Sequence, residues 1–176
     1  MNLSEISINA FRIRSYQLFE KQWLLLTSGD FQKGTYNAMS IGWGSIGSMW
    51  SKPFVQIVVR PSRYTYEFLN TYPTFTVTAF PEQYRKTLVL LGSKSGRDGD
   101  KILESGLTPI ASQHVAAPGY AEANLIIECE KMYWDDMKPK NFLNEDILQK
   151  YPEKDYHRSY YGEIKSIIGD ASLYAS

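Results

Sequence analysis

The apolar run Phe54–Val59 (FVQIVV) has Pro53 before it and Pro61 just after it. Proline cannot donate to a ladder from within a central strand, and β-branched residues favour a pleated, buried surface. A run of this length, punctuated at both ends, reads as a buried strand. Arg60-Pro61-Ser62-Arg63-Tyr64-Thr65 follows, ahead of the helical segment RYTYEFLNT, for which Ser62 is the expected N-cap. The chain therefore brings guanidiniums, hydroxyls and free backbone N–H groups to one helix N-terminus. That set suits an anion, phosphate above all.

Just upstream, Gly42-Trp43-Gly44-Ser45-Ile46-Gly47 spells the dinucleotide fingerprint G-x-G-x-x-G. The fingerprint acts only when a strand precedes it and a helix opens at its last glycine. Too few residues separate Gly47 from the Phe54 strand for a crossover helix, and Lys52-Pro53 lies among them. A doubly wound reading is rejected.

The rest of the chain punctuates in the same manner. Residues 1–20 form an arm whose SISINAFRI alternates weakly, as an edge strand would. Gln22–Ser28 and Lys33–Ser40 read as a hairpin joined through Gly29-Asp30. Pro73 ends the helix begun at Ser62, and Thr74–Phe80 alternates as a strand. A second helix opens at Pro81-Glu82 and runs to about Leu91. The glycine-spaced loop 92–101 leads to a short helix, DKILESG, and a strand near Leu107–Val115. Ala121–Trp134 is the longest strand signal, 135–158 is a polar excursion with a small helix, and Tyr160–Ile168 closes the fold. Short strands with turn signals and few helices make the chain mainly β: an antiparallel, Greek-key-like β-barrel with peripheral helices, in one domain over residues 1–176.

Charge narrows the partners. Nineteen basic residues balance nineteen acidic ones, so no broad field attracts nucleic acid or an anionic membrane, and any anion site is local. No apolar run is long enough to cross a bilayer, and residues 1–20 carry charges where a secretory signal has its apolar core. A cytoplasmic location is expected. The single cysteine, Cys129, excludes an intrachain disulfide and a cysteine-cluster metal site, and its apolar neighbours make it a small core residue. No metal site is expected. Of the two histidines, His114 has no partner signal.

Five motifs taken in order resemble the flavin reductase-like family of FMN-binding split β-barrels: N-A-M-S at 37–40, W-S-K-P at 50–53, V-V-R-P-S-R-Y-T at 58–65, S-K-S-G-R-D-G-D-K at 93–101 and H-x-x-Y-Y-G-E-I at 157–164. Lys52 departs from the pattern, since many relatives carry an acidic residue there. The resemblance implies a homodimer with one FMN per subunit near the interface. Asn37, Ala38, Met39 and Ser40 would lie along the flavin ring. Arg60, Ser62, Arg63, Tyr64 and Thr65 would receive the phosphate and ribityl chain, and Ser93 and Lys94 would close over the phosphate. Trp50, with Trp43, would stack on a ring, and His157 would lie on the nicotinamide side. The implied activity is an oxidoreductase passing hydride from NADH or NADPH to flavin and on to a small-molecule acceptor, with the cofactor supplying the chemistry. An FMN-binding electron carrier without nicotinamide turnover and a non-enzymatic binding module are the alternatives.

Overall fold

The computed structural model describes residues 3–175. In chain order the elements are β1 (Leu3–Glu5), β2 (Leu24–Asp30), β3 (Thr35–Ile41), β4 (Gly44–Met49), β5 (Lys52–Val59), α1 (Tyr64–Thr71), β6 (Thr74–Ala79), α2 (Arg85–Ser93), α3 (Lys101–Ser105), β7 (Pro109–Ile110), β8 (Gly119–Tyr120), β9 (Leu125–Asp136), β10 (Arg158–Asp170) and α4 (Ala171–Tyr174). All strand pairings are antiparallel, in the order β3-β2-β6-β9-β10-β5-β4, with β1 added to the far end of β10 and β7–β8 a separate pair. No helix among the described residues is long and apolar enough to cross a membrane.

The mainly β architecture follows from strands buried on both sides. Leu24 and Leu26 of β2 pack inward with Val55, Ile57, Phe75, Val77, Leu125 and Ile127. Between them Leu25 faces a second core made with Leu88 and Leu91 of α2, Ile102 of α3, and Tyr120. Period-two alternation thus serves two apolar layers, so the sequence shows a continuous apolar run rather than an in-out pattern. Every residue of β6 is buried, including its threonines, and Thr76 donates its hydroxyl to the Pro118 carbonyl at 2.6 Å. Cys129 lies fully buried in the inner core. Beside it, Gly162 makes room: a Cβ there would stand 2.5 Å from the Phe75 ring and 2.9 Å from the Cys129 Cβ.

Several expectations change. The 22–28 strand begins at Leu24, because a π-helical turn occupies Gln17–Gln22 and Trp23 takes a left-handed backbone (φ 62°). The Gly42–Gly47 segment supplies a strand, β4, which the glycines had masked. At Gly44 an added Cβ would meet the Gln56 carbonyl at 2.5 Å, so the glycine is there for close approach. The strand expected near Leu107–Val115 shrinks to Pro109–Ile110. Beyond it the chain is held as a loop, since the buried carboxylate of Glu128 accepts the Gln113 and His114 N–H groups at 2.9 and 2.8 Å. Of the arm, only Leu3–Glu5 pairs as a strand, with a further bridge from Phe11 to Ala175; residues 1 and 2 lie outside the described range.

Candidate functional site

β3 ends the sheet order, so one of its edges has no strand partner. α2 lies along that strand, pinned by the Ser40 hydroxyl, which donates to the Leu88 carbonyl. Gly92 lets the helix come close, its missing Cβ falling 3.2 Å from that of Ser40. Between β3, α2 and the C-terminal end of β5 opens a cleft of about 470 Å3. Trp23, Met39, Ile41, Trp43, Val58 and Val89 give it an apolar lining, with Arg60, Arg63, Ser93 and His157 as its polar groups. A flat aromatic system suits such a slot.

At one end the cleft meets a smaller cavity of about 80 Å3, and the two share Met39, Arg63, Gly92 and Ser93. This cradle is formed by Ser62, Tyr64 and Thr65 at the start of α1, Asn37 of β3, and the 92–96 loop with Lys101. Arg63, Lys94 and Lys101 line it, and no carboxylate does. The α1 N-terminus carries no side-chain cap, which leaves first-turn N–H groups for a ligand. Asn37 Nδ2 donates to Thr65 Oγ1 at 2.8 Å, tying strand to helix. Gly96 is required where it stands: a Cβ would lie 2.2 Å from Asn37 Oδ1.

The residues singled out in the sequence distribute unevenly over this site. Asn37, Met39, Ser40, Arg60, Ser62, Arg63, Tyr64, Thr65, Ser93 and Lys94 all line the cleft or the cradle. Ala38 turns away, buried in the second core, so only its backbone is near the cleft. Trp50 lies elsewhere. It is a central residue of the β4–β5 turn (φ 53°), at the opposite end of β5, and packs edge-on against Tyr133 and Tyr161.

Three of these side chains are already held by carboxylates. Arg60 Nη1 binds Asp155 Oδ1 at 2.6 Å, and Nη2 donates to the Lys150 carbonyl. Ser62 is not the N-cap, a position held by Arg63; its hydroxyl donates to Asp155 Oδ2 at 3.1 Å. Lys94 Nζ binds the Glu104 carboxylate at 2.7 and 2.6 Å. Arg63, by contrast, makes only a 3.3 Å bond to the Gly92 carbonyl, with no carboxylate partner among the described residues.

His157 is buried beside Trp43, the ring centroids 5.2 Å apart, and its Nδ1 lies 2.8 Å from the Tyr151 hydroxyl. Burial, helped by the Arg60 charge, pushes its pKa down to about 4. The imidazole is therefore neutral at pH 7 and shapes the cleft as an uncharged group.

Sequence reasoning missed Trp23, whose indole is covered by the Arg85 guanidinium at 3.6 Å, and it gave Lys101 no role of its own. Lys101 is only 4% exposed. A signal did exist: Asp100 caps α3 through the Ile102 and Leu103 N–H groups, which fixes the residue after it. No group of three or more His, Cys, Asp or Glu side chains among the described residues is placed to hold a metal.

Comparison with known proteins adds to this geometry. The family model described as flavin reductase like domain matches residues 16–136. An uncharacterised protein of Pyrococcus abyssi is 27% identical over 114 residues, covering 64% of this chain and 63% of that protein. Among solved structures, an FMN-binding domain of a flavin reductases-like enzyme from Shewanella baltica matches with a TM-score of 0.70 at 16% identity, covering 97% of this chain and 78% of the other. Flavoredoxin of Desulfovibrio vulgaris matches with a TM-score of 0.67 at 22% identity, covering 96% and 78%. At these identities the structural likeness establishes a common split-barrel fold.

Proposed function

Because the chain belongs to the flavin reductase-like family, we propose that it is an FMN-binding oxidoreductase passing hydride from NADH or NADPH to flavin and on to a small acceptor. The observation behind this reading is the junction of an apolar cleft with a cationic cradle free of carboxylates. A planar ring fits the first and a phosphate the second. A bound flavin supplies a ring that accepts hydride and yields its electrons to the acceptor. The chain's own residues position and enclose. Met39, Val58 and Val89 line the slot, the free edge of β3 offers backbone N–H and C=O groups, and Arg63 neutralises phosphate charge. Trp43 and the neutral His157 bound the side from which a nicotinamide would approach.

Visible absorption of the purified protein, before and after FMN addition and dialysis, tests cofactor binding. Retained flavin bands that bleach with NADH or NADPH under anaerobic conditions support the oxidoreductase. A protein that shows no bands and no response to FMN refutes it and leaves a non-enzymatic binding module. Arg63→Ala is expected to weaken FMN about 10-fold to 100-fold, as loss of a charge-assisted partner does.

The likeness to flavoredoxin favours a second reading, an electron carrier that binds FMN without nicotinamide turnover. Bands that bleach with dithionite but with neither nicotinamide would select it. A homodimer belongs to both readings. Trp50 of the β4–β5 turn and Tyr133 of β9, each about half exposed and packed together with Tyr161, offer an aromatic surface for it. Sedimentation equilibrium decides that point: a monomer at all concentrations would exclude the dimer.

A further inference from the structure

We infer that Tyr151 is a positioning residue for His157: its hydroxyl holds the imidazole with the proton on Nε2, so that the cleft presents an uncharged N–H donor to a carbonyl oxygen of a bound small molecule. Only the use made of that carbonyl, as part of a substrate, rests on the oxidoreductase reading.

Tyr151 ends the short helical turn Glu145–Lys150 of the polar excursion and is 4% exposed. Phe142 and Tyr156 pack against its ring, with centroids 5.7 and 5.0 Å away, and the Arg60 guanidinium lies 4.9 Å from its centroid. The ring is therefore held in place, and with it the hydroxyl. That oxygen stands 2.8 Å from His157 Nδ1 and 3.6 Å from Met137 Sδ. It has one proton to give. Burial raises the pKa of the phenol, so the proton stays on the oxygen. The ring nitrogen is the nearer acceptor, and a far stronger one than a thioether sulfur. The hydroxyl therefore donates to Nδ1, and the neutral imidazole carries its own proton on Nε2.

Nε2 has no hydrogen-bond partner among the described residues. The enclosed side-chain atoms left unpartnered there are the hydroxyls of Thr74, Thr78 and Ser166, and Nε2 is not one of them. It therefore reaches open space, and the space that His157 lines is the cleft. Around it the charges are already matched or distant in role: Arg60 is held by Asp155, Arg63 faces the junction with the cradle, and no carboxylate lines the cleft. What remains beside the Trp43 ring is one uncharged N–H. Such a donor suits a carbonyl or amide oxygen, which it polarises without the cost of burying a charge. With the proton on Nδ1 instead, Nε2 would be an acceptor and the same spot would select a donor. One hydroxyl of the polar excursion thus sets which kind of ligand atom the cleft receives.

The test reads the tautomer first. Long-range proton–nitrogen correlation spectra at neutral pH should show His157 protonated on Nε2 alone, with the Nδ1 signal displaced by the bond it accepts. A proton on Nδ1 would overturn the inference whatever the protein binds. Tyr151→Phe keeps the ring and its packing, and should return the Nδ1 signal to that of an unbonded imidazole nitrogen; a signal that does not move would mean the bond is not made. Benzamide, a planar carbonyl compound, is then titrated into the protein saturated with FMN, with toluene as the control that lacks a carbonyl. The Nε2–H proton of His157 should move downfield with benzamide and not with toluene. Tyr151→Phe should weaken benzamide about 3-fold to 10-fold, leave toluene unchanged, and add nothing in a His157→Phe background. Equal losses for the two probes, or a full loss in the His157→Phe background, would mean that Tyr151 only braces the excursion. An Nε2–H proton that ignores benzamide would refute the carbonyl subsite. If the protein takes up no FMN, the flavin reading fails, and the same titration of the empty cleft still decides between these outcomes.

Discussion

Asp155 reaches 95 residues back along the chain to Arg60, its Oδ1 lying 2.6 Å from Nη1 while Oδ2 accepts the Ser62 hydroxyl. One carboxylate thus anchors the polar excursion to the strand-to-helix turn that builds the cleft. Both partners are about four-fifths covered, so the pair is only partly screened. Asp155→Ala is expected to cost about 1 kcal/mol and to loosen residues 137–157. Limited proteolysis should cut that segment first in the variant. Identical cleavage patterns for variant and wild type would mean that the aromatic cluster Phe142–Tyr151–Tyr156 alone holds it.

His157 predicts how stability responds to acid. Its folded pKa, about 4, lies below the ordinary 6.5, so the unfolded chain binds the proton more readily. Stability contributed by this residue is complete above pH 6.5 and is lost as the pH falls toward 4. The loss is on the order of 3 kcal/mol. Chemical denaturation of wild type and His157→Gln across pH 4–7 measures it as a difference in slope; parallel curves would show that the imidazole titrates normally.

Gly96→Ala tests the tightest contact of the cradle. The new Cβ would strike Asn37 Oδ1, and Asn37 cannot swing aside without breaking its bond to Thr65. Overpacking of this kind costs about 1–3 kcal/mol. The displaced loop should weaken FMN more than riboflavin. An alanine variant with wild-type melting temperature and FMN affinity would show that the loop is free to move.

Glu128→Gln probes the buried carboxylate under the 111–117 loop. The amide keeps one acceptor oxygen, but its NH2 then faces a backbone N–H. With charged hydrogen bonds worth about 1.5–3 kcal/mol, a loss of about 2 kcal/mol is expected. Amide hydrogen exchange at Gln113 and His114 should quicken locally. Exchange that stays slow at both would remove the carboxylate from that role.

How far the sequence speaks for itself varies along the chain. The Phe54–Val59 run, the Leu24 strand and the long β9 signal are legible because β-branched and apolar residues leave no other burial pattern. β4 is not, because Gly44 and Gly47 serve close approach to Gln56 and Phe54, and glycine otherwise reads as a break. The cradle was found from its arginines and serines, yet the roles of individual cations were not. Nothing in spacing tells that Asp155 takes Arg60, that Glu104 takes Lys94, or that Lys101 is buried. The two ion pairs join partners 95 and 10 positions apart, and Lys101 is enclosed on the Leu91 and Lys94 carbonyls, arrangements that only the fold brings about.

β10 pairs along its length with β5, β9 and β1. Among the described strands it is also the last to leave the ribosome. Until it emerges, β5 and β4 have no link to the β3-β2-β6-β9 half of the sheet, and the cleft lacks His157. Synthesis therefore yields two unjoined half-sheets whose apolar faces wait on one late strand, and that interval is where a nascent chain of this design most needs a chaperone.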